Sequence, residues 1–146
     1  MYKFNQISLD KLHSCHPDLQ ILFKEVIRHV DCSIICGHRN QKDQDAAFTA
    51  GKSKLKFPNG KHNSNPSMAV DVAPFPIVWD NHKRFYWFGG YVMGIAEILL
   101  QHGIITHKVR YGGDWDGDGD ITDQKFNDLL HFELVTPSKP NVLYGT

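Results

Sequence analysis

The feature that most constrains this chain is a set of four polar side chains, far apart in sequence, with the composition of one metal site. They are His62, Asp71, Asp128 and His131. Two imidazoles and a carboxylate are a minimal protein ligand set for a catalytic zinc ion, which keeps a further position open for water. Asp128, three residues before His131, is close enough to take a proton from that water. The fold must bring these segments together, and the pattern predicts metal-assisted hydrolysis.

Size and charge narrow the class of protein. The chain has 146 residues, 41% of them hydrophobic and 22% charged, which predicts one globular domain over residues 1–146. Sixteen basic and sixteen acidic side chains balance, so charge does not favour a nucleic-acid partner or an anionic membrane surface. There is no apolar run of membrane-spanning length and no signal-peptide pattern at the N-terminus. We expect a monomer without a membrane anchor, made in a cytosol and kept there unless another factor releases it.

The cysteines are expected to be structural. Cys15, Cys32 and Cys36 cannot all pair within one chain. If residues 32–36 form a strand, alternation puts Cys32 and Cys36 on one face, where they would pack as small hydrophobic side chains. Unpaired cysteines are typical of reducing compartments.

Hydrophobic periodicity predicts four helices. Ser8 is a candidate cap for a short helix from Leu9, and Pro17 suits the first turn of a longer one because its missing N–H would be unpaired there. Helices are also expected over 41–50, ended by Gly51, and over 84–102. The predicted core-facing residues of the second and fourth helices are Leu19, Leu22, Phe23, Val26, Ile27 and Val30, and Phe88, Tyr91, Ile95, Ile98 and Leu99.

Short strands are expected between these helices, at 33–36, 69–73, 108–111 and 131–135. Helices mixed with short strands that are partly non-adjacent fit an α+β fold, with a small antiparallel sheet packed against helices, better than a parallel α/β sheet. Residues 52–66 are predicted to form a long basic loop, and residues 136–146 a surface tail.

Four sequence blocks in a fixed order resemble a known family. The blocks are Gly37-His38-Arg39 with Gln44, Ser53 through His62, Pro66 through Asp71, and Asp128 through Glu133. They resemble the zinc peptidases of the D-Ala-D-Ala carboxypeptidase and dipeptidase family, and within it the phage L-alanyl-D-glutamate endopeptidases that act as endolysins. The resemblance covers residues 34–135. The interval from His62 to Asp71 is longer than in the commonest form of the motif, and we expect the loop through 63–66 to absorb the difference.

The resemblance implies a role for each matching residue. His62, Asp71 and His131 correspond to the zinc ligands. Asp128 corresponds to the general base that activates the zinc-bound water and then protonates the leaving amine.

Three further residues around this set have less defined roles. Arg39 matches an arginine that lies over the substrate, where a guanidinium could polarise the scissile carbonyl or hold a carboxylate. Gln44, one helical turn further on, could orient Arg39 or the substrate. Glu133 shares the strand face of His131 and could either orient that ligand or form a salt bridge.

A second metal motif precedes Asp128. It follows the start of an EF-hand loop, with carboxylates at positions one, three and five and glycine at six, and its aspartates are Asp114, Asp116, Asp118 and Asp120. Position twelve is Lys125 instead of a bidentate glutamate, so one strong ligand is missing unless Asp123 or a distant carboxylate supplies it. Some phage peptidases of this type carry a regulatory calcium loop at this place, which implies Ca²⁺ here. The alternative is an acidic turn that binds nothing specifically.

Two further groups of residues each have two alternative roles. Lys52, Lys54, Lys56 and Lys61 could attract an anionic cell-wall polymer or form a solvated loop. Trp79, Tyr86 and Trp87 could line a substrate groove or pack in the core.

These observations predict a zinc-dependent endolysin peptidase that hydrolyses the L-Ala-D-Glu bond of bacterial peptidoglycan, for host cell lysis. Its expected location is the host cytoplasm, with access to the cell wall after release by a holin. The nearest alternative is a D-Ala-D-Ala dipeptidase or carboxypeptidase with the same zinc site. Another is a catalytically inactive calcium-binding virion protein.

Overall fold

A computed structural model describes residues 1–136 of the protein. The helices are α1 (Gln6–His13), α2 (Pro17–Val26), α3 (Gln41–Thr49) and α4 (His82–Gln101), with a short 3-10 helix at Lys61–Asn63. The strands are β1 (Cys32–Cys36), β2 (Ala69–Pro74), β3 (Lys108–Tyr111) and β4 (His131–Val135). Thr136 is exposed, and the rest of the predicted tail lies outside the described residues.

The strands form one antiparallel sheet in the order β1-β2-β4-β3. This arrangement confirms the predicted α+β class. In the central pair, Asp71 of β2 is the register partner of His131 of β4. Directly opposed residues of an antiparallel pair project from the same face of the sheet. Backbone pairing therefore brings together two predicted metal ligands that are far apart in sequence.

The core lies on the other face of the sheet. Phe132 and Leu134 of β4 are fully buried, as are Leu19, Leu22, Phe23 and Val26 of α2. The Phe132 ring lies 5.4 Å from that of Phe23, 6.3 Å from that of Phe88 and 4.9 Å from that of Tyr111, measured between centroids. Because side chains alternate along a strand, the same β4 segment presents Phe132 and Leu134 to the core and His131 and Glu133 to the opposite face.

The first helix begins earlier than predicted. Asn5 caps it, and its Oδ1 accepts a hydrogen bond from Ser8 N at 2.8 Å. Ser8, predicted to be the cap, is instead buried, and its hydroxyl accepts a hydrogen bond from Ile34 N at 3.1 Å. Asn and Ser are comparably good caps, so local preference does not decide which of them caps α1. Because Ser8 is buried and its hydroxyl bonds to β1, Asn5 caps the helix.

The predicted core face of α4 is partly wrong. Tyr91 is 38% exposed and Ile98 is 57% exposed. The buried residues of this helix are Phe85, Phe88, Gly89, Val92, Ala96 and Leu99. Apolar residues occur on more than one face of α4, and periodicity by itself does not select the face that packs on the sheet. Within residues 1–136, none of the helices combines the length and apolarity needed to cross a lipid bilayer.

Candidate active site

The three predicted ligands meet on the sheet face that is turned away from the core. Asp71 Oδ1 lies 3.3 Å from His62 Nε2 and 3.2 Å from His131 Nδ1. The sheet register explains the second distance. His62 lies in the 3-10 helix. The long loop that follows this helix still leaves His62 close to β2, which carries Asp71. One carboxylate oxygen thus lies between two imidazole nitrogens.

The orientation of the His62 ring is set by a backbone contact at Nδ1, the nitrogen that points away from Asp71. Its Nδ1 lies 2.7 Å from the carbonyl oxygen of Gly37, so Nδ1–H donates and Nε2 faces Asp71. Nε2 is buried and, among the described residues, has no hydrogen bond of acceptable geometry. A buried nitrogen left without a partner costs free energy. A cation bound between His62 and Asp71 would satisfy this atom, so the residues present fit a metal.

His131 is held in the same manner by Glu133. Its Nε2 lies 2.8 Å from Glu133 Oε1, which leaves Nδ1 for Asp71. Glu133 Oε2 accepts a hydrogen bond from Arg110 Nη2 at 2.8 Å and lies 3.9 Å from Lys61 Nζ. Glu133 therefore does both of the things that the sequence left open: it orients His131 and forms salt bridges. Such outer partners fix the tautomer and direction of metal-binding histidines.

The electrostatics of this cluster favour positive charge. Burial lowers the pKa of both histidines, but nearby groups, above all Asp71, outweigh it and raise the pKa of His62 to about 10 and of His131 to about 9. Burial likewise opposes ionisation of Asp71, but the two imidazoles lower the pKa of its carboxyl far below the usual range. Protons and a metal ion compete for the same imidazole nitrogens, so a metal ion is expected to bind more weakly here as the pH falls.

Asp128 lies at the rim of the cluster, with Oδ2 3.8 Å from His131 Nδ1. Its backbone is tied to Gly112, whose carbonyl oxygen accepts from Asp128 N at 2.9 Å. A Cβ at Gly112 would collide with the carbonyl oxygen of Asp128, so this close approach requires glycine. Burial, followed by the charge of Asp71, raises the pKa of Asp128 to about 6. A carboxyl with a pKa near neutrality can both accept and return a proton.

Arg39 and Gln44 form a connected pair beside the cluster. Arg39 Nη2 lies 3.5 Å from Asp71 Oδ2, and Nη1 donates to Gln44 Oε1 at 3.1 Å. Gln44 is buried, and its amide donates to Ser53 Oγ and to the carbonyl oxygen of Leu55. Of the two roles left open for Gln44, the geometry favours orienting Arg39.

Cys36 was missed as a residue of the site. Its Sγ lies within 4.8 Å of ligand atoms of His62 and Asp71, and Arg39 Nη2 donates to it at 3.7 Å. The prediction that it packs like Cys32 is wrong, because β1 is irregular between Ile34 and Cys36 and pairs Cys36 with Asp71. Burial opposes ionisation, but His62 and Arg39 lower the pKa of this thiol. Its position directly before the Gly37-His38-Arg39 block was the available signal. Within residues 1–136 all three cysteines are free.

The aspartate loop, residues 114–123, lines the cleft above the cluster through Trp115. Ligand atoms of Asp114, Asp116 and Asp118 lie within 4.8 Å of one another. Asp114 Oδ2 accepts from Gly119 N at 2.9 Å, while Asp114 Oδ1 is buried with no hydrogen-bond partner among the described residues. Gly119, with φ of +83°, makes the left-handed turn that this contact requires.

The side chain of Asp120 does not join this group, and the contribution of Asp120 to a calcium site stays a prediction. Its Oδ1 accepts from the backbone N and the hydroxyl of Thr122, at 2.8 and 2.6 Å. The seventh position of an EF-hand loop supplies its backbone carbonyl oxygen to the metal, so the Asp120 side chain is not needed there.

A cleft of about 750 Å³ runs over the cluster, between the basic loop and the aspartate loop. Lys52 and Lys54 lie on one side, and Trp115 and Phe126 on the other. Lys54 Nζ lies 4.7 Å from the centre of the Phe126 ring, so a cation–π contact joins the two walls. Trp79 also lines the cleft, whereas Tyr86 packs against the core.

Comparison with known proteins now assigns the family. A family model described as phage L-alanyl-D-glutamate peptidase matches residues 1–135. The chain belongs to this family. The L-alanyl-D-glutamate peptidase of Escherichia phage T5 is 28% identical over 144 residues, which cover 92% of this chain and 98% of the relative. The predicted enzyme class, an L-alanyl-D-glutamate peptidase, is confirmed by the family.

The fold is shared with a solved structure, that of the Serratia marcescens L-Ala D-Glu endopeptidase ChiX. The TM-score is 0.65 at 21% sequence identity, and the match covers 92% of this chain and 91% of that chain. At this identity the likeness bears on the fold, and it agrees with the α+β architecture described above.

Proposed function

We propose that the protein is a zinc-dependent endopeptidase that hydrolyses the L-Ala-D-Glu bond of peptidoglycan stem peptides. The observation that carries the proposal is the position of Asp71 Oδ1, between His62 Nε2 and His131 Nδ1. The other nitrogen of each ring is already held, by Gly37 and by Glu133. A preset group of two nitrogens and one carboxylate is a ligand set suited to catalytic zinc.

His62, Asp71 and His131 would hold the zinc ion. When bound, zinc supplies a water of lowered pKa and an electrophile for the scissile carbonyl. The remaining chemistry belongs to the side chains around it.

Asp128 would take the proton from the water whose oxygen bonds to the carbonyl carbon of L-Ala. It would return this proton to the D-Glu nitrogen as the C–N bond breaks, so the products are a free carboxylate and a free amine. Arg39 would contact the carbonyl oxygen or a substrate carboxylate, and Gln44 would keep the guanidinium in place.

We further propose that Ca²⁺ binds the aspartate loop and regulates the enzyme. The buried Asp114 Oδ1 and the convergence of Asp114, Asp116 and Asp118 support this proposal. Without a cation, these like charges repel one another and favour an open loop. Bound calcium would order the segment that leads to Asp128 and His131.

Calcium titration of the zinc-loaded enzyme tests this regulation. We expect hydrolysis to rise with calcium in the wild type and to lose that response in Asp116→Ala. The idea is wrong if activity and zinc affinity are unchanged by calcium and by the substitution.

The biological role that fits this activity is host cell lysis by a phage. We propose that the enzyme acts as a monomer and is held in the host cytoplasm until a holin-type protein opens the way to the cell wall.

Mass spectrometry of digested peptidoglycan tests the cleaved bond. We expect new D-Glu amino termini and free L-Ala carboxyl ends from the zinc-loaded wild type, none from Asp128→Asn, and wild-type cleavage from Asp10→Asn on the exposed face of α1. Loss of terminal D-Ala alone would favour the D-Ala-D-Ala carboxypeptidase alternative. Digestion that yields no new ends with both metals present would favour the inactive calcium-binding protein.

A further inference from the structure

Trp115 is the second residue of the aspartate loop, yet its indole lies against the zinc-ligand cluster. The centre of its ring system is 5.5 Å from that of the His131 imidazole, with the two planes tilted by 44°. Its neighbour in sequence, Asp114, belongs to the convergent aspartate group. A single step along the chain therefore separates the candidate calcium site from a side chain that packs on a candidate zinc ligand.

The indole is also fixed to the segment that carries Asp128. Trp115 Nε1 donates to the carbonyl oxygen of Phe126 at 2.7 Å, and Trp115 N donates to Gln124 Oε1 at 3.0 Å. Phe126 lies two residues before Asp128. These two bonds close the loop across its base. The Nε1 bond therefore ties Trp115 to the backbone that leads to Asp128.

A second path from Trp115 reaches His131 through charged side chains. The guanidinium of Arg110 lies 5.4 Å from the centre of the Trp115 ring. Arg110 also donates to Glu133 at 2.8 Å, and Glu133 contacts His131 Nε2 at 2.8 Å. The His131 imidazole thus has the tilted ring of Trp115 beside it and is held at Nε2 by Glu133, which Arg110 contacts in turn.

We propose that Trp115 is a positioning residue that transmits cation binding at the aspartate loop to His131 and Asp128. This inference rests on the proposed zinc peptidase function and on calcium regulation. When the carboxylates close around a cation, Asp114 moves with them and carries Trp115 against the imidazole and the Phe126 carbonyl. With the loop open, the same indole no longer holds either group.

The first test compares Trp115→Phe with Trp87→Phe. Phenylalanine keeps an aromatic face toward His131 but lacks the N–H that bonds to Phe126. Trp87 is 53% exposed on α4 and serves as the matched control. For each protein, hydrolysis of a stem peptide is measured with zinc alone and with zinc plus calcium, and calcium binding is measured by calorimetry.

We expect calcium binding to persist in Trp115→Phe, while the ratio of activities with and without calcium falls about tenfold, as for other partners that orient metal ligands. Trp87→Phe should keep the wild-type ratio. A merely structural role of Trp115 would lower both activities together and leave the ratio unchanged. A wild-type ratio in Trp115→Phe overturns the proposal.

The second test keeps Trp115 and uses it as the reporter. The chain has three tryptophans, so Trp79→Phe with Trp87→Phe leaves Trp115 as the single indole. Calcium added to this zinc-loaded variant should change the emission of Trp115, with the same midpoint as the activation measured on the same sample. Unchanged emission while calcium raises activity overturns the proposal.

The outcomes separate this inference from the function on which it rests. If wild-type enzyme cleaves peptidoglycan but is indifferent to calcium, calcium regulation and the role of Trp115 are both wrong, and the zinc peptidase stands. If calcium activates the wild type and the Trp115 variant equally, the role of Trp115 alone is wrong. If the wild type cleaves nothing, the peptidase proposal fails, and an emission of Trp115 that ignores bound calcium then rejects the link independently.

Discussion

The site has two parts, the strand pair that carries Asp71 and His131 and the loop that carries Asp128, and they are held by different means. In the first part, Asp71 and His131 are paired across neighbouring strands, and the backbone ladder sets their separation. In the second part, Asp128 lies in a loop that depends on the Gly112 contacts and on the bond from Trp115 to Phe126. Strand pairing persists whatever ions are present, whereas a loop rich in aspartates depends on what neutralises them. Two of the proposed metal ligands, Asp71 and His131, are thus preformed by strand pairing, whereas the position of Asp128, the proposed base, depends on its loop.

Removal of Asp71, which strand pairing holds in place, should have the largest effect on activity. Asp71→Ala removes the carboxylate between the two imidazoles, so we expect stoichiometric zinc binding to be lost. Hydrolysis should fall by more than about 10⁴-fold, as when an essential member of a catalytic unit is removed. Elemental analysis of the purified protein and mass spectrometry of digests measure these losses. An Asp71→Ala protein with full zinc and wild-type cleavage would contradict the ligand assignment.

Substitution of Asp128, which lies in the loop, should leave zinc binding unchanged. Asp128→Asn keeps the size of the side chain but removes the proton acceptor, so we expect kcat to fall by about 10²–10⁴-fold. Zinc content should be that of the wild type. Loss of zinc from this variant would mean that Asp128 is a ligand and not a base.

The same variant tests the pH dependence. Asp128 must be ionised to accept a proton, and burial together with the charge of Asp71 raises its pKa to about 6. Activity should therefore fall as the pH drops through a midpoint at or below about 6, because a bound cation lowers this pKa further. Asp128→Asn should lack the part of the profile that this group causes. A pH profile with the same acid limb in both proteins would assign it to another group.

The core behind the strands provides the third test. Phe132→Ala empties a fully buried position that packs on Phe23, Phe88 and Tyr111. We expect a loss of about 3–5 kcal/mol in the free energy of unfolding. Ile98→Ala, on the exposed side of α4, should change it by less than about 0.5 kcal/mol. Urea unfolding of both variants measures the difference, and a large loss in Ile98→Ala would contradict the observed face of α4.

The smallest expected effect concerns a contact away from the cleft. Asp18 Oδ2 accepts from Thr106 N and Oγ1 and from His107 N, and it lies 2.8 Å from His107 Nδ1, which ties α2 to the segment before β3. Burial opposes its ionisation, but these bonds lower the pKa of Asp18. Asp18→Asn should therefore cost about 1–3 kcal/mol of unfolding free energy at neutral pH.

The sign of the pH effect follows from this shift. A carboxyl with a lowered pKa in the folded protein binds protons more readily when unfolded, so its contribution is present above the unfolded pKa of about 3.9 and lost as the pH falls further. The stability difference between wild type and Asp18→Asn should shrink below about pH 4. A difference that stays constant from neutral to acid pH would show that the charge of Asp18 does not stabilise the fold.

Sequence periodicity was reliable where local pattern and packing agree. The strands at Lys108–Tyr111 and His131–Val135 have the predicted bounds, and Pro17 begins α2 as expected. The prediction failed for the cap of α1, where Asn5 and Ser8 were equally suitable, and for the core face of α4, which has apolar residues on more than one side. In both places packing against the core selected one alternative and excluded the other.

The sequence by itself determined the class of fold, the family and the groups around Asp71 other than Cys36. Local patterns are enough for these, because each block carries its own residue types and spacing. Only the tertiary structure decided how the groups are oriented: that Asp71 lies opposite His131, that an irregular β1 brings Cys36 to Asp71, and that Trp115 packs on His131. Each of these contacts joins residues through a strand irregularity, a strand pair or a loop closure. Such contacts depend on where the backbone goes in space, which no local pattern records.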